Sequence, residues 1–378
     1  MEESLIERYG IEVERAFANR GNLMRLKDCM RRAKAGEALK IGFVGGSITQ
    51  GSLATAEDKC YAYHVYSWWK QTFPQAEFEY INAGIGGTTS QFGVARVQED
   101  LLEKEPDFVI VEFSVNDKST EHFLETYEGL VRKILKWKTN PAVLLVHSVY
   151  YDSGANAQLM HAKIGRYYDL PCVSMQSSVF AKVVDGSIPK DEITPDSLHP
   201  NDVGHRLEAE IITSFLELVL GDLQTKETTC VVKEAPLTAN EYENSVRFRS
   251  ENANAVLDGF CVDETPQEGI TDRFKGGWTA GAAGAGITFT VKGSCIGIQY
   301  RRIIDHPAQI AEVILDGKRA GLLDANFDET WGDNLELDTI AEHIENTSHE
   351  VTIRLIEAPK EAVKPFYLVS VIASSKEE

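Results

Sequence analysis

Five strand-like runs, several of them nearly continuous in apolar residues, constrain this chain more than any other feature: residues 40–44 (KIGFV), 78–81 (FEYI), 108–114 (FVIVEFS), 142–149 (AVLLVHSV) and 171–175 (PCVSM). Strands that read apolar on both faces are covered on both faces, as parallel strands in layered α/β sheets are. Stretches of helical character separate them, near 61–72, 89–104, 121–137, 155–168 and 201–220. Strand and helix in alternation predict a doubly wound parallel sheet. Upstream, Leu5, Tyr9, Val13 and Phe17, then Leu23, Leu26 and Cys29, recur at helical spacing. The first forty residues therefore read as a helical extension.

The texture changes after "LELVLGDLQTKETTC", which ends at residue 230. Short strand-like runs at 246–249, 286–291, 295–301, 310–315, 350–356 and 366–373 are separated by Gly, Asp and Asn turns, including "LDGK" at 315–318. Short strands at this spacing predict a β-sandwich. We expect an α/β domain over 1–222 and a β domain over 231–378, with the boundary near the charged stretch 222–233. The Gly-rich stretch 276–287 lacks the strand–turn–helix setting of a phosphate-binding loop.

Charge narrows the partners. With 38 basic and 58 acidic residues the formal net charge is −20. Such a surface repels nucleic acid and anionic membrane, so a neutral substrate is the easier fit and neither of those is an expected partner. No apolar run approaches the ~18 residues of a membrane span. The charged start "MEESLIERYGIEVERA" is unlike a signal peptide, which predicts a cytoplasmic protein. A homo-oligomer is compatible with the chain. The six cysteines form no CxxC pair and read as reduced core residues. No HExxH and no clustered His/Asp set is present, so neither a metal nor a cofactor is expected.

Ligands of open parallel sheets bind at the carboxyl ends of the strands, and four polar segments fall there. The first strand runs into Gly45-Gly46-Ser47, where two glycines read as a sharp bend presenting the serine. The second runs into "NAGIGGTTS", with Gly84, Gly86 and Gly87, and the third into "SVND", with Asn116. The fifth is followed by "DSLHPNDVGH", with Asp196 three residues before His199. A serine hydroxyl needs an adjacent base to act as a nucleophile. His199 can be that base, with Asp196 fixing its tautomer. The N–H groups of Ser47 and Gly87 and the Asn116 amide are candidate donors to an oxyanion. Taken singly, each segment reads as an ordinary turn or cap.

Together, in the order Ser–Gly–Asn–Asp–His over residues 38–220, the segments resemble the SGNH hydrolases, relatives of the GDSL esterases. The resemblance implies a flavodoxin-like, five-stranded parallel sheet flanked by helices. It also implies Ser47 as nucleophile, His199 as base, Asp196 as its partner, and Gly87 and Asn116 as oxyanion donors. Gly87 is preferred to its neighbours because it directly precedes "TTSQ". One departure is visible: the family's GDS is here Gly45-Gly46-Ser47.

The whole chain is similar to bacterial two-domain acetylxylan esterases, which pair this fold with a jelly-roll-like module. That implies an acetylesterase acting on acetylated xylan or xylo-oligosaccharide through an acyl-enzyme. A lipase, thioesterase or aryl esterase on the same residues is the alternative, as is a non-catalytic carbohydrate-binding or assembly protein. In the β domain, Trp278 and Trp331 fall in predicted loops where an indole can stack on a sugar, or pack a core edge instead. His147 reads as a hydrogen-bonded core histidine, and Glu112 as a buried carboxyl in need of a partner.

Overall fold

The computed structural model describes residues 3–362 and 364–376. Two compact units emerge, one ending at Ala239 and the next beginning at Asn240. The division lies beyond the charged stretch because residues 233–238 return to the α/β unit. Arg132 donates to the Lys233 and Glu234 carbonyls, and Glu128 accepts the N–H groups of Leu237 and Thr238.

The first unit is built on a six-stranded sheet: β1 (Phe17–Asn19), β2 (Leu39–Gly45), β3 (Phe78–Gly84), β4 (Phe108–Glu112), β5 (Ala142–His147) and β6 (Cys172–Ser174). Their spatial order is β1-β6-β5-β4-β2-β3. Strands β2 to β6 run parallel, as the apolar runs require. All five residues of β4 are buried, which is what helices on both faces impose. Against one face pack α1 (Met24–Lys34), α2 (Tyr61–Thr72) and α6 (Asp202–Gly221); α3 (Ser90–Asp100), α4 (Glu121–Leu135) and α5 (Gln158–Tyr167) cover the other. Trp69 on α2 is fully buried against Phe78 of β3 and Phe108 of β4.

The N-terminal extension departs from the all-helical expectation. Between its helical turns lies β1, which adds an antiparallel edge to β6 with Phe17 opposite Val173. Three residues are too few to show a period of two, so nothing local marks them as strand.

The second unit is a pair of antiparallel sheets. One has β15 (Asn334–Ala341), β12 (Cys295–Arg302), β17 (Phe366–Ser375), β10 (Trp278–Ala280) and β9 (Cys261–Val262) in order, with β7 (Asn244–Phe248) also on β17. The other runs β14 (Lys318–Asp324), β13 (Ile310–Leu315), β16 (Thr347–Glu357), β11 (Gly286–Gly293), β8 (Val256–Asp258). Ile287, Phe289 and Val291 alternate inward along β11 and share one core with Ile298, Leu368 and Val371 of the first sheet. That alternation is the sandwich signature. Among the described residues no helix is long and apolar enough to cross a membrane.

Candidate active site

Register brings three strand ends side by side: Gly45 of β2 pairs with Gly84 of β3 and with Glu112 of β4. The loops leaving these ends carry Ser47, Gly87 and Asn116, so neighbours in the sheet supply residues far apart in the chain. Ser47 opens a one-turn helix, Ser47–Gln50, and is 7% exposed. Its N–H, at the first position of that turn, has no acceptor among the described residues.

Crowding, rather than a bend, explains the two glycines before it. Gly46 has φ −87°, and neither glycine lies in the left-handed region. A Cβ on Gly45 would lie 2.2 Å from Thr49 Oγ1 and 2.4 Å from the Glu112 carbonyl oxygen. One on Gly46 would lie 2.1 Å from Asn116 Oδ1.

The loop after β3 turns through Gly87, whose φ of +70° suits glycine. Gln50 Oε1 accepts the Gly86 N–H at 2.6 Å, whereas the Gly87 N–H has no acceptor among the described residues. Thr88 closes the turn by donating to the Ile85 carbonyl at 2.6 Å. Behind both loops the buried Arg96 guanidinium donates to the Ala83 carbonyl at 2.8 Å and the Gly45 carbonyl at 3.2 Å. Asp100, one turn along α3, pairs with it at 2.9 Å. Gln50, Thr88 and Arg96 are absent from the sequence-derived set. The roles of Gln50 and Arg96 depend on contacts between strand ends, for which no local pattern exists, whereas the Thr88 bond is local to its turn.

Asp196 and His199 arrive on the turn before α6. Ser197, between them, holds φ +71°, and its hydroxyl accepts from Lys190 Nζ at 2.6 Å. His199 Nε2 lies 2.8 Å from Ser47 Oγ, and His199 Nδ1 lies 2.6 Å from Asp196 Oδ2. Asp196 Oδ1 also accepts the N–H groups of Leu198 at 3.0 Å and His199 at 2.7 Å. Partial burial works to raise the Asp196 pKa, but the bonds from the His199 ring and the two amides outweigh it and hold the carboxyl below its usual value. With the proton on Nδ1, the ring donates to the carboxylate and leaves Nε2 to accept from the serine. That arrangement lets a neutral imidazole take a hydroxyl proton.

Two carboxyls lie buried beneath this surface. Glu112 Oε1 accepts the N–H and hydroxyl of Ser114 at 2.9 and 2.8 Å, while Oε2 has no hydrogen-bond partner among the described residues. Burial pushes its pKa up to about 7 despite those bonds. Burial likewise holds Glu208 of α6 well above the usual range, with Glu112 adding to the effect.

Other expectations need correction. Trp278 is 2% exposed and meets Phe289 edge to face in the sandwich core, so its indole is not available to stack on a sugar. Trp331 is 61% exposed, against Phe327. His147 is buried, but neither ring nitrogen has a hydrogen-bond partner among the described residues, and burial lowers its pKa to about 3. No cysteine is in a disulfide, yet Cys261 is exposed and Cys230 half-buried because their segments lie outside the cores. Among the described residues, the group offering metal-ligand atoms is Glu241, Cys295 and His343 of the second unit. There His343 Nδ1 already lies within hydrogen-bond distance of Glu241 Oε2, at 2.9 Å.

Comparison with known proteins agrees with this geometry. Residues 43–207 match the GDSL-like lipase/acylhydrolase family. An acetylxylan esterase of Geobacillus stearothermophilus is 25% identical over 154 residues, covering 35% of this chain and 70% of that protein. A two-domain esterase active on acetylated mannans, crystallised with mannopentaose, is 60% identical over 97% of this chain and 99% of its own, with a TM-score of 0.93. The same kind of esterase without that ligand gives a TM-score of 0.94 at 60% identity and the same coverage. At that identity over both domains, the chain belongs to the GDSL-like acylhydrolases, as a two-domain carboxylic ester hydrolase.

Proposed function

We propose that this protein is a serine acetylesterase of acetylated mannan or manno-oligosaccharide, with Ser47, His199 and Asp196 as its catalytic residues. The single observation that carries the catalytic reading is the continuous relay Ser47 Oγ–His199 Nε2, His199 Nδ1–Asp196 Oδ2 at 2.8 and 2.6 Å. Ser47 Oγ attacks the acetyl carbonyl carbon while its proton passes to His199 Nε2. The oxyanion that forms is met by the N–H groups of Ser47 and Gly87 and by the Asn116 carboxamide. Removing one such donor typically costs ~3–4 kcal/mol of transition-state stabilisation. Collapse breaks the bond to the sugar oxygen, which takes the proton from His199. Water, deprotonated by His199, then attacks the acetyl-serine and releases acetate.

Mannan is favoured over xylan by extent of likeness: the mannan-active esterases match 97% of this chain, whereas the acetylxylan esterase matches 35%. The exposed Trp331 is a candidate sugar platform of the β domain. The test is acetate release from acetylated mannan and acetylated xylan beside 4-nitrophenyl esters of increasing chain length. Preferential release from mannan and a preference for the acetyl ester are expected. No acetate from either glycan, with activity rising to eight-carbon and longer acyl chains, would overturn the reading. Mass spectrometry after an organophosphate inhibitor tests the nucleophile separately, a single adduct on Ser47 being expected.

A further inference from the structure

Helix α3 begins three residues after Gly87, and its own N-cap residue Thr89 makes no side-chain capping bond. The first helical N–H, that of Ser90, instead donates to Asp117 Oδ1 at 2.9 Å, from a turn 27 residues along the chain. Asp117 directly follows Asn116, and both backbone N–H groups of that pair donate to the Phe113 carbonyl, at 3.0 and 2.9 Å. A single carboxylate thus caps the helix that anchors the Gly87 loop while sitting on the turn that presents Asn116. A negative group at a helix start is favoured by the helix dipole as well as by the hydrogen bond.

The carboxylate is itself held from behind. Its side chain is fully buried, and Asp117 Oδ2 lies 3.0 Å from His161 Nε2. The His161 ring is in turn stacked on Tyr127, with centroids 3.6 Å apart and planes 3° from parallel. Ser90 Oγ and Thr126 Oγ1, 2.7 Å apart, add a second tie between α3 and α4. Asp117 therefore has both acceptor atoms engaged by rigid elements and none turned toward substrate.

We infer that Asp117 is a positioning residue that sets the spacing between the two outer oxyanion donors, the Gly87 N–H and the Asn116 carboxamide. The inference rests on the oxyanion assignment proposed above. Donors of this kind act only when held where the charge will develop, and displacements near 1 Å cost on the order of 10²-fold in rate. Losing the tie should therefore lower kcat and leave KM nearly unchanged, since the ground-state ester makes little use of the hole.

A kinetic cycle on 4-nitrophenyl acetate with D117A, N116A and the double variant provides the test, with melting temperatures recorded for each. We expect D117A to lose kcat by roughly 30- to 100-fold with KM within about threefold. The double variant should fall below N116A by clearly less than D117A falls below wild type, because only the Gly87 donor is then left for Asp117 to hold. D117N should recover part of the rate: its carboxamide oxygen still accepts from Ser90, and His161 can move its proton to Nδ1, which has no partner among the described residues. If D117A does not fold, the same cycle is run with D117N, where a smaller loss and the same non-additivity are expected. Losses that multiply in the double variant, or a kcat within threefold of wild type for folded D117A, would overturn the positioning role. A wild-type kcat for N116A would overturn the oxyanion assignment itself, and this inference with it.

Discussion

Gly46 and Asn116 exclude one another's side chains: a Cβ at position 46 would stand 2.1 Å from Asn116 Oδ1 and 2.7 Å from its Cγ. Where the GDS pattern of related enzymes carries aspartate, this chain keeps the position bare, and the asparagine fills the space. G46A should therefore displace either Asn116 or the Ser47 turn. A kcat loss on the order of 10²-fold on 4-nitrophenyl acetate is expected, with little change in KM. G46A/N116A should melt above G46A, because truncating the asparagine removes the overlap, yet stay slow for want of the donor.

The relay through His199 separates the contributions of its two partners. S47A removes the proposed nucleophile, and ester hydrolysis should drop by roughly 10⁴-fold or more while circular dichroism is unchanged. D196N keeps the shape but cannot hold the Nδ1 proton in the same way, and a loss of roughly 10²- to 10⁴-fold in kcat is expected. A D196N enzyme at wild-type rate would mark a working Ser47–His199 dyad.

Glu112 links the sheet beneath the site to pH. Burial raises its pKa from 4.5 to about 7, so between those values the folded protein holds a proton that the unfolded chain releases. Folding stability from this group therefore falls as pH rises through that window. E112Q still accepts both Ser114 donations and has nothing to ionise. Its unfolding free energy relative to wild type should climb from pH 4.5 to 7 and level off above, for a total of about 3 kcal/mol. A difference that is flat with pH would show that Glu112 is ionised in the folded protein at all those values.

The two tryptophans of the β domain should part company. W278A opens a cavity beside Phe289, at an expected cost of ~3–5 kcal/mol read by denaturant unfolding. W331A removes an indole that is 61% exposed and should change stability by less than about 0.5 kcal/mol. If Trp331 stacks on sugar, KM for acetylated mannan should rise in W331A while that for 4-nitrophenyl acetate stays constant.

Much of the architecture is legible in local pattern. The runs name all five parallel strands: β2, β4, β5 and β6 because a strand buried on both faces needs no partner to declare its burial, and the edge strand β3, half-buried with Glu79 exposed, by its Phe, Tyr and Ile content alone. In the β unit the alternation of Ile287, Phe289 and Val291 names β11, but β8, β9 and β10 are two or three residues long and leave no period to read. Strands β14 and β15 are longer but half-exposed, and a strand with weakly contrasting faces looks like loop.

The sequence by itself offered the candidates for acyl transfer: Ser47, Asn116, Asp196 and His199 are singled out by type and by their place at strand ends. It determined nothing about why Gly46 is a glycine, since the reason is Asn116, seventy residues on and one strand over. Only the tertiary structure decided that Gln50 occupies the Gly86 N–H, that Arg96 binds the two strand ends, and that Asp117 caps α3. The first joins the loops of neighbouring strands β2 and β3, the second runs from helix α3 to the ends of those strands, and the third reaches from the turn after β4 past β2 to the helix that follows β3. Parallel register juxtaposes positions by sheet order rather than by sequence distance, and so leaves no periodic trace in the chain.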